Sequence, residues 1–267
     1  MRRVIGMFLC PLFLFITSAT TPVLAQASTL KVEPGKPLRK GVDAWPLIVN
    51  PANPAEQKVN ATLTRLNLSL TKALTECDAA ALADMKQSHT PQKDWPGALA
   101  EDWSRKVEVT MQGPQFFSLV ATDEYVHCGG AHPDSDTMAM VFDMTTGTPV
   151  NWLALVSKSV GASVFADAVS DGSQIGALVL PALAQLNLDA ASDDCKDAFQ
   201  DPQSFQLWPD AKTGTLVAQA FDLPHAAADC AVQIPLTMEQ ARTLGFDENL
   251  LSSIDQAHRL FAAAPPR

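Results

Sequence analysis

Tyrosine and basic residues are both scarce in this chain of 267 residues. Tyr125 is the single tyrosine, and 19 Lys and Arg stand against 29 Asp and Glu, which gives a formal net charge of −10. An acidic surface disfavours nucleic acid and anionic lipid as partners, because both bind basic patches. The same charge favours a basic partner, although it also serves simply to keep an exported protein soluble.

Motifs for common enzyme chemistry are absent as well. The sequence contains no Gly-x-Ser-x-Gly, no His-Glu-x-x-His and no phosphate-binding glycine loop, which argues against the enzyme classes that use them. Cys-x-x-Cys spacing is also missing. A zinc site at His127, Cys128 and His132 would need thiolate and imidazole donors, and an oxidised Cys128 cannot supply a thiolate. We therefore expect no metal and no cofactor.

A long apolar run occurs at the start of the chain. Arg2 and Arg3 precede apolar residues 4–16, and Ala25 closes a stretch of small or tolerated residues. This order is typical of a secretory signal peptide, and the run is too short for a membrane span. We predict cleavage after Ala25, a mature chain without a membrane span, and a periplasmic or secreted location.

Cysteine usage agrees with export. Once the segment with Cys10 is removed, Cys77, Cys128, Cys195 and Cys230 remain. Four cysteines in an exported chain indicate two disulfides, and three pairings are possible. We favour Cys77–Cys128 and Cys195–Cys230, which close one loop within each half of the chain.

Helical and strand patterns occupy separate runs of the sequence. Apolar residues recur at three- and four-residue spacing over residues 54–85, which predicts one long helix. We also predict helix over residues 160–187, broken near Asp171-Gly172 and at Pro181, and a final helix capped by Asp247. This order predicts an α+β fold, an antiparallel sheet with helices packed on one face. We identify no internal repeat.

Short alternating or apolar stretches predict the strands. They cover residues 107–111, 116–121, 124–128, 138–144, 148–152, 205–208, 216–221 and 231–234. Gly147 suits the left-handed position of a three-residue hairpin loop between the fourth and fifth of them. A capping box at Thr237 begins a short helix that ends at Gly245. In the final helix, four side chains form the expected apolar face: Leu250, Leu251, Ile254 and Phe261.

The densest group of unusual residues lies at 124–133. Gly129 and Gly130 allow the backbone to adopt positive φ and to pass close to another group. Pro133 restrains His132 to an extended conformation. From the residues alone, His132 is a structural hydrogen-bonding residue at the bend, a ligand contact or a general base.

This group carries a family resemblance. A Tyr-x-x-x-Gly-Gly-Ala-His core at residues 125–132 is followed by Phe-Asp-x-x-Thr-Gly at residues 142–147. The pair of motifs resembles the RsiV-like C-terminal domain family, which is also called domain of unknown function 3298. The chain before it resembles the N-terminal segment of PdaC- and RsiV-type proteins.

The resemblance implies a domain arrangement and a set of site residues. It implies ligand contacts at Tyr125, Gly129, Gly130 and His132. The predicted segments are a signal peptide (1–25), an extended leader (26–50), a helix-containing segment (51–110), the RsiV-like domain (111–262) and a tail (263–267).

Asp143 has two interpretations from the residues alone. It caps the turn that follows it, as Asp often does at the first position of a turn. Alternatively, with a pKa raised by burial, it works as a general acid or base together with His132.

Three functional hypotheses remain open. The first is a non-catalytic binding module for a basic protein such as lysozyme, which the anti-sigma relative binds, or for a peptidoglycan fragment. The second is an envelope glycan hydrolase or deacetylase-associated enzyme that uses His132 and Asp143. The third is a structural envelope protein. The sequence does not indicate an oligomeric state.

Overall fold

The structure, a computed structural model, describes residues 30–89, 103–126, 133–168, 174–197, 203–221 and 230–264, with the single positions 199, 223 and 227. For residues 125–126, 133–134, 164–168 and 174–176 it describes the backbone alone. The predicted signal peptide, Cys128, Gly129, Gly130 and His132 lie outside the described residues. In the part of the chain that is described, no helix is long and apolar enough to cross a membrane.

The N-terminal part of the described chain builds one long helix and a small sheet. Strands β1 (Val32–Glu33) and β2 (Leu47–Ile48) pair antiparallel. Helix α1 (Pro54–Ser88) follows, within three residues of the predicted end. It begins where the Asn53 side chain accepts a hydrogen bond from the Glu56 amide, which satisfies a donor that the first helical turn leaves open.

Two asparagines of α1 attach this helix to the segment before it. The Asn60 side chain accepts a hydrogen bond from the Ile48 amide and donates one to the Ile48 carbonyl, both at 2.8 Å. Asn67 makes the same pair of bonds with the backbone of Trp45, at 2.7 and 3.1 Å. Because Asn60 and Asn67 are two helical turns apart, they lie on one face of α1 and hold the preceding segment along it.

The first main sheet has four antiparallel strands in sequence order. They are β3 (Ser104–Gln112), β4 (Phe116–Val126), β5 (Pro133–Asp143) and β6 (Thr148–Pro149). We predicted two strands in place of β4, separated at Thr122 and Asp123. The strand is continuous because Thr122 and Asp123 stay in register with both neighbours, and because Arg105 neutralises the Asp123 carboxylate.

The second main sheet has five antiparallel strands. They are β7 (Ser163–Ala168), β8 (Gln174–Val179), β9 (Ser204–Asp210), β10 (Thr215–Phe221) and β11 (Gln233–Leu236). Their order is β11-β10-β9-β8-β7. The strands predicted near 205–208, 216–221 and 231–234 are therefore confirmed.

The prediction of helix before Pro181 was wrong. Residues 163–168 and 174–179 form β7 and β8, which pair with each other from Ser163 and Val179 to Ala168 and Gln174. We interpreted Asp171-Gly172 as a helix break, yet Asp-Gly is also a strong signal for a hairpin. Tertiary pairing, here the attachment of β8 to β9 at Leu178 and Val179, overrides the helix propensity of alanine-rich stretches.

Four further α-helices follow in the described part of the chain. They are α2 (Pro181–Ala190), α3 (Asp193–Lys196), α4 (Met238–Thr243) and α5 (Glu248–Ala263). The capping box at Thr237 and the cap at Asp247 are present as predicted. Phe261 lies seven residues after Ile254 and therefore on the predicted face of α5. Its side chain is 53 % exposed, because it lies in the last turn, beyond the buried Leu250, Leu251 and Ile254.

Two hydrophobic clusters lie on opposite faces of the four-stranded sheet. Phe117, Leu119 and Phe142 pack with Val59 and Leu63 of α1. The alternate residues of the same strands, such as Phe116 and Val120, belong to a larger core. That core includes residues of the five-stranded sheet and of α2, α4 and α5, so α1 forms an outer layer and the two sheets face each other. The α+β class with antiparallel pairing is confirmed, although the strands divide between two main sheets.

Hydrogen bonds also join the two sheets. The Gln206 side chain accepts from the Ala139 amide at 3.0 Å and donates to the Thr137 carbonyl at 2.7 Å. The Gln206 amide thus bonds two backbone groups on the side of β5 that faces away from β4, as a neighbouring strand would. The amide of Ala211 donates to the Thr110 carbonyl at 2.8 Å and covers part of the β3 edge.

Two hairpin turns share one sequence motif and most of their hydrogen bonds. The first turn, residues 143–148, and the second turn, residues 210–215, both read Asp-x-x-Thr-Gly-Thr. In each, the glycine has positive φ, 72° at Gly147 and 68° at Gly214, and its amide donates to the aspartate carbonyl. The hairpin predicted at Gly147 is confirmed. The prediction of no internal repeat was wrong for this motif.

One of the two predicted disulfides is confirmed. Cys195 and Cys230 are bonded, with their Cα atoms 5.5 Å apart, and the bridge attaches α3 to the segment that leads into β11. Cys77 is also disulfide-bonded. Its pairing with Cys128 stays a prediction, because Cys128 lies outside the described residues. The predicted domain boundaries stay predictions too.

Candidate functional site

The motif singled out in the sequence follows the last residues of β4. Tyr125 belongs to β4, and its backbone is in register with Asp134 of β5. Gly129, Gly130 and His132 lie outside the described residues, so their role as ligand contacts stays a prediction. The described part of the site is therefore the pair of strand ends that flank residues 127–132.

Acidic residues concentrate at these two strand ends. Asp123 of β4 is in register with Asp136 of β5, and Glu124 is in register with Ser135. The side chains of Glu124, Ser135 and Asp136 are exposed. Like charges directly opposite each other destabilise an antiparallel pair. The position of Asp123 opposite Asp136 therefore requires a nearby compensating charge.

Arg105 supplies that charge from the neighbouring strand. Its Nη1 lies 2.6 Å from Asp123 Oδ2, and the two side chains are 4 % and 7 % exposed. The Trp103 indole donates a second hydrogen bond, at 2.7 Å, to Asp123 Oδ1. Both carboxylate oxygens are satisfied, which a buried ion pair needs in order to offset the loss of hydration. We call Trp45, Trp103, Arg105 and Asp123 the Arg105 cluster.

The Arg105 cluster ties three parts of the chain together. The guanidinium carbon lies 4.9 Å from the centroid of the Trp45 ring, within the range of a cation–π contact. The backbone of Arg105 donates to Gly41 at 2.9 Å and accepts from Asp43 at 3.1 Å. The segment before α1 is thereby attached to β3, and β3 to the end of β4. Arg105 Nε is buried and has no hydrogen-bond partner in the structure as described.

Helix α1 passes beside the same cluster. Leu74 and Cys77 of α1 form a small hydrophobic group with Val42, and Trp103 packs against it. Arg39 forms an ion pair with Asp78 of α1, and both side chains are roughly one quarter exposed. The ends of β4 and β5 are therefore supported by a buried ion pair, by two indole rings and by α1.

Asp143 lies far from this region. It ends β5, whereas Pro133, the residue bonded to His132, begins the same strand. Ten residues of antiparallel strand span about 33 Å. Asp143 Oδ1 accepts hydrogen bonds from the amide and the hydroxyl of Thr145, at 2.7 and 2.6 Å, as expected of a turn cap. One pocket could not hold both Asp143 and the residue next to Pro133.

The geometry of the described site indicates support rather than chemistry. Its one buried carboxylate is bonded by Arg105 and Trp103, so it is not available as a base. Among the described residues, no group of three His, Cys, Asp or Glu side chains could hold a metal ion. The exposed acids at the strand ends can attract a cation or a basic side chain through Coulomb interactions.

Sequence reasoning missed the Arg105 cluster. The available signal was a charged residue at a position whose alternation predicts burial: Arg105 shares its parity with Val107 and Val109, and Asp123 shares its parity with Leu119 and Ala121. Two opposite charges at buried positions of neighbouring strands indicate an ion pair. We instead took Asp123 as part of a break between strands.

Comparisons with known proteins give similarity to solved structures alone. No family model matches the chain, and no curated protein matches it. A similar solved structure is the crystal structure of a member of the DUF3298 family from Bacteroides fragilis NCTC 9343. The two chains are 10 % identical with a TM-score of 0.48, over 85 % of this chain and 95 % of that one. The identity and the TM-score are too low for this similarity to indicate family or function.

Proposed function

We propose that the chain is a non-catalytic extracytoplasmic binding module whose partner is a basic protein of the lysozyme type. The observation that carries the proposal is the exposed acidic end of β4 and β5, where Glu124 and Asp136 lie on adjacent strands and, by strand alternation, on opposite faces of the sheet. It belongs to a chain with a formal net charge of −10. The Cys195–Cys230 disulfide supports an oxidising compartment.

The rigid base beneath the strand ends favours binding over catalysis. The Arg105 cluster and α1 fix the positions of β3 and β4 before any partner arrives. A surface that is already ordered loses less conformational entropy on binding. Acidic residues on such a surface accelerate association with a cationic partner. This acceleration decreases as the salt concentration rises, because salt screens the charges.

Isothermal titration calorimetry with a basic lysozyme tests the proposal. The chain from Gln26 onward is produced under oxidising conditions and titrated at low salt and at about 0.15 M salt. We expect binding that weakens as the salt concentration rises. A parallel titration with soluble muropeptides distinguishes the glycan alternative, which would give heat that salt changes little. Heat from neither titrant would contradict a binding role for both classes and favour a structural envelope protein.

Charge reversal locates the contact. Glu124→Lys at the proposed site is expected to slow association by about fivefold at low salt. Asp189→Lys is the matched control, because Asp189 is an exposed acid in the last turn of α2. A lysine there interacts favourably with the negative end of the helix dipole, so this variant should not destabilise the fold. The two variants have equal net charge, so an equal effect of both would mean that binding does not involve the β4–β5 end.

A further inference from the structure

Four side-chain amides are buried among the described residues, and they differ in how many of their atoms are hydrogen-bonded. Gln206 is 3 % exposed, and its oxygen and nitrogen bond Ala139 and Thr137 of β5. Asn60 and Asn67 bond both backbone groups of Ile48 and Trp45 in the same way. Gln219, which is 6 % exposed, is bonded at one end: its Nε2 donates to the Ala231 carbonyl at 3.1 Å, and its Oε1 has no hydrogen-bond partner in the described structure.

The other two buried amides, Asn187 and Gln203, are bonded to each other. They are 0 % and 6 % exposed, and Asn187 Nδ2 donates to Gln203 Oε1 at 3.2 Å. The remaining atoms, Asn187 Oδ1 and Gln203 Nε2, are buried without a hydrogen-bond partner in the described structure. Because each remaining atom shares its carbon with a bonded one, the free acceptor and the free donor lie beside the same hydrogen bond.

The position of Asn187 makes the missing bonds more notable. It lies four residues after Leu183 in α2, on the face that the core covers, and Leu183 is also fully buried. Asparagine is a poor residue for a helix interior, and an apolar residue would cost less at a core position. Buried polar groups without protein partners are usually satisfied by ordered water.

We infer that an ordered water molecule bridges Gln203 Nε2 and Asn187 Oδ1, at the junction of α2 with the start of β9. The bridging group must accept one hydrogen bond and donate another. A metal cation would be repelled by the Nε2–H group, and an anion would be repelled by Oδ1. A water molecule meets both requirements. Rotating both amides by 180° exchanges the two roles and leaves the same complement of one donor and one acceptor.

Water–protein NMR measures this site in the wild-type chain. With uniform nitrogen-15 labelling and assigned side-chain amides, we expect a direct water cross-peak to the Gln203 amide protons that has the sign of a long-lived bound water. Gln206 is the matched control, because it is the same residue type three positions further along the chain and is likewise buried, with both amide atoms bonded to protein. It should show no such peak. Absence of the peak at Gln203, or equal peaks at both residues, would overturn the inference.

A crystal structure gives an independent test. Solvent density is expected within hydrogen-bond distance of both Asn187 Oδ1 and Gln203 Nε2, and it should be lost in the double variant Asn187→Leu, Gln203→Leu. A direct contact between the two amides that leaves no solvent density would contradict the inference, and this result requires only the wild-type crystals.

Discussion

The first and second turns share most of their internal hydrogen bonds but contact different parts of the chain. In the first turn Asp143 accepts from the Thr145 amide, and in the second Asp210 accepts from the Lys212 amide. In each turn the threonine before the glycine bonds the threonine after it, at 2.7 Å. The comparison shows that the local sequence determines the conformation of a hairpin loop. The residues packed against the loop determine which substitutions it tolerates.

The contact partners of the two glycines show the difference. A Cβ atom added to Gly147 would lie 2.2 Å from the Ala55 carbonyl oxygen and 2.7 Å from the Ala55 Cα. These are backbone atoms of the first turn of α1, which cannot move without shifting the helix. A Cβ atom at Gly214 would lie 2.9 Å from the His258 ring of α5, and a side chain can move more easily.

Gly147→Ala is expected to have the largest effect. Positive φ strains alanine, and the clash with Ala55 adds an overpacking cost, so we expect a loss of about 3 kcal/mol in the free energy of unfolding. Urea denaturation measures it. Gly161→Ala is the control, because Gly161 has φ of 70° with nothing within 4 Å of an added Cβ; it should lose only about 1 kcal/mol. Equal losses would mean that α1 does not constrain the first turn.

Gly214→Ala should cost less, about 2 kcal/mol, because the His258 ring can yield. The ring is held by a hydrogen bond from Nδ1 to the Ala211 carbonyl at 2.8 Å. His258→Ala removes the obstacle, so the double variant should lose less stability than the two single variants together. Additive losses in urea denaturation would contradict a contact between Gly214 and His258.

Removing the aspartates should have smaller and equal effects. Asp143→Ala and Asp210→Ala each delete the bonds that organise a turn, and we expect about 1 kcal/mol from each. Asp143→Asn and Asp210→Asn serve as matched controls that keep one acceptor oxygen. Thermal unfolding compares the four variants. A large difference between the two alanine variants would show that the internal bonds of the turns are not equivalent.

The smallest predicted effect concerns the helix that contacts the second turn. Arg242 of α4 hydrogen-bonds Glu248 in the first turn of α5 and lowers the pKa of the Glu248 carboxyl. Because the pKa of Glu248 is lower in the folded chain than in the unfolded one, the ion pair stabilises the fold at pH values above the unfolded pKa of about 4.3. That contribution to stability is lost as the pH falls through the folded pKa. An NMR titration of Glu248 should show a higher pKa in Arg242→Met. An unchanged pKa would mean that the pair does not form in solution.

Local chemistry explains which parts of the fold the sequence predicted. The first turn, the capping box at Thr237 and the cap at Asp247 each depend on residues that are neighbours in the chain, and each is confirmed. The second turn carries the same Asp-x-x-Thr-Gly-Thr signal at residues 210–215, which predicts the hairpin between β9 and β10.

Long-range pairing explains what the sequence did not predict. β7 and β8 depend on each other and on β9, and no local pattern separates such strands from a broken helix. The Arg105 cluster joins residues that are far apart in the chain: Arg105 and Asp123 both lie 60 or more positions after Trp45. Tyr125 was placed in a strand correctly, whereas the roles of Gly129, Gly130 and His132 stay predictions.

The two asparagines of α1 affect how the protein should be produced. Asn60-Ala61-Thr62 and Asn67-Leu68-Ser69 both match the acceptor sequence for N-glycosylation. Their amide nitrogens are the atoms that donate to Ile48 and Trp45. A glycan added in a eukaryotic secretory pathway would replace one proton on each nitrogen before the chain folds. The attached sugar would then compete for space with the segment that packs against this face of α1. Expression in a bacterial periplasm avoids this modification and still allows the disulfide to form.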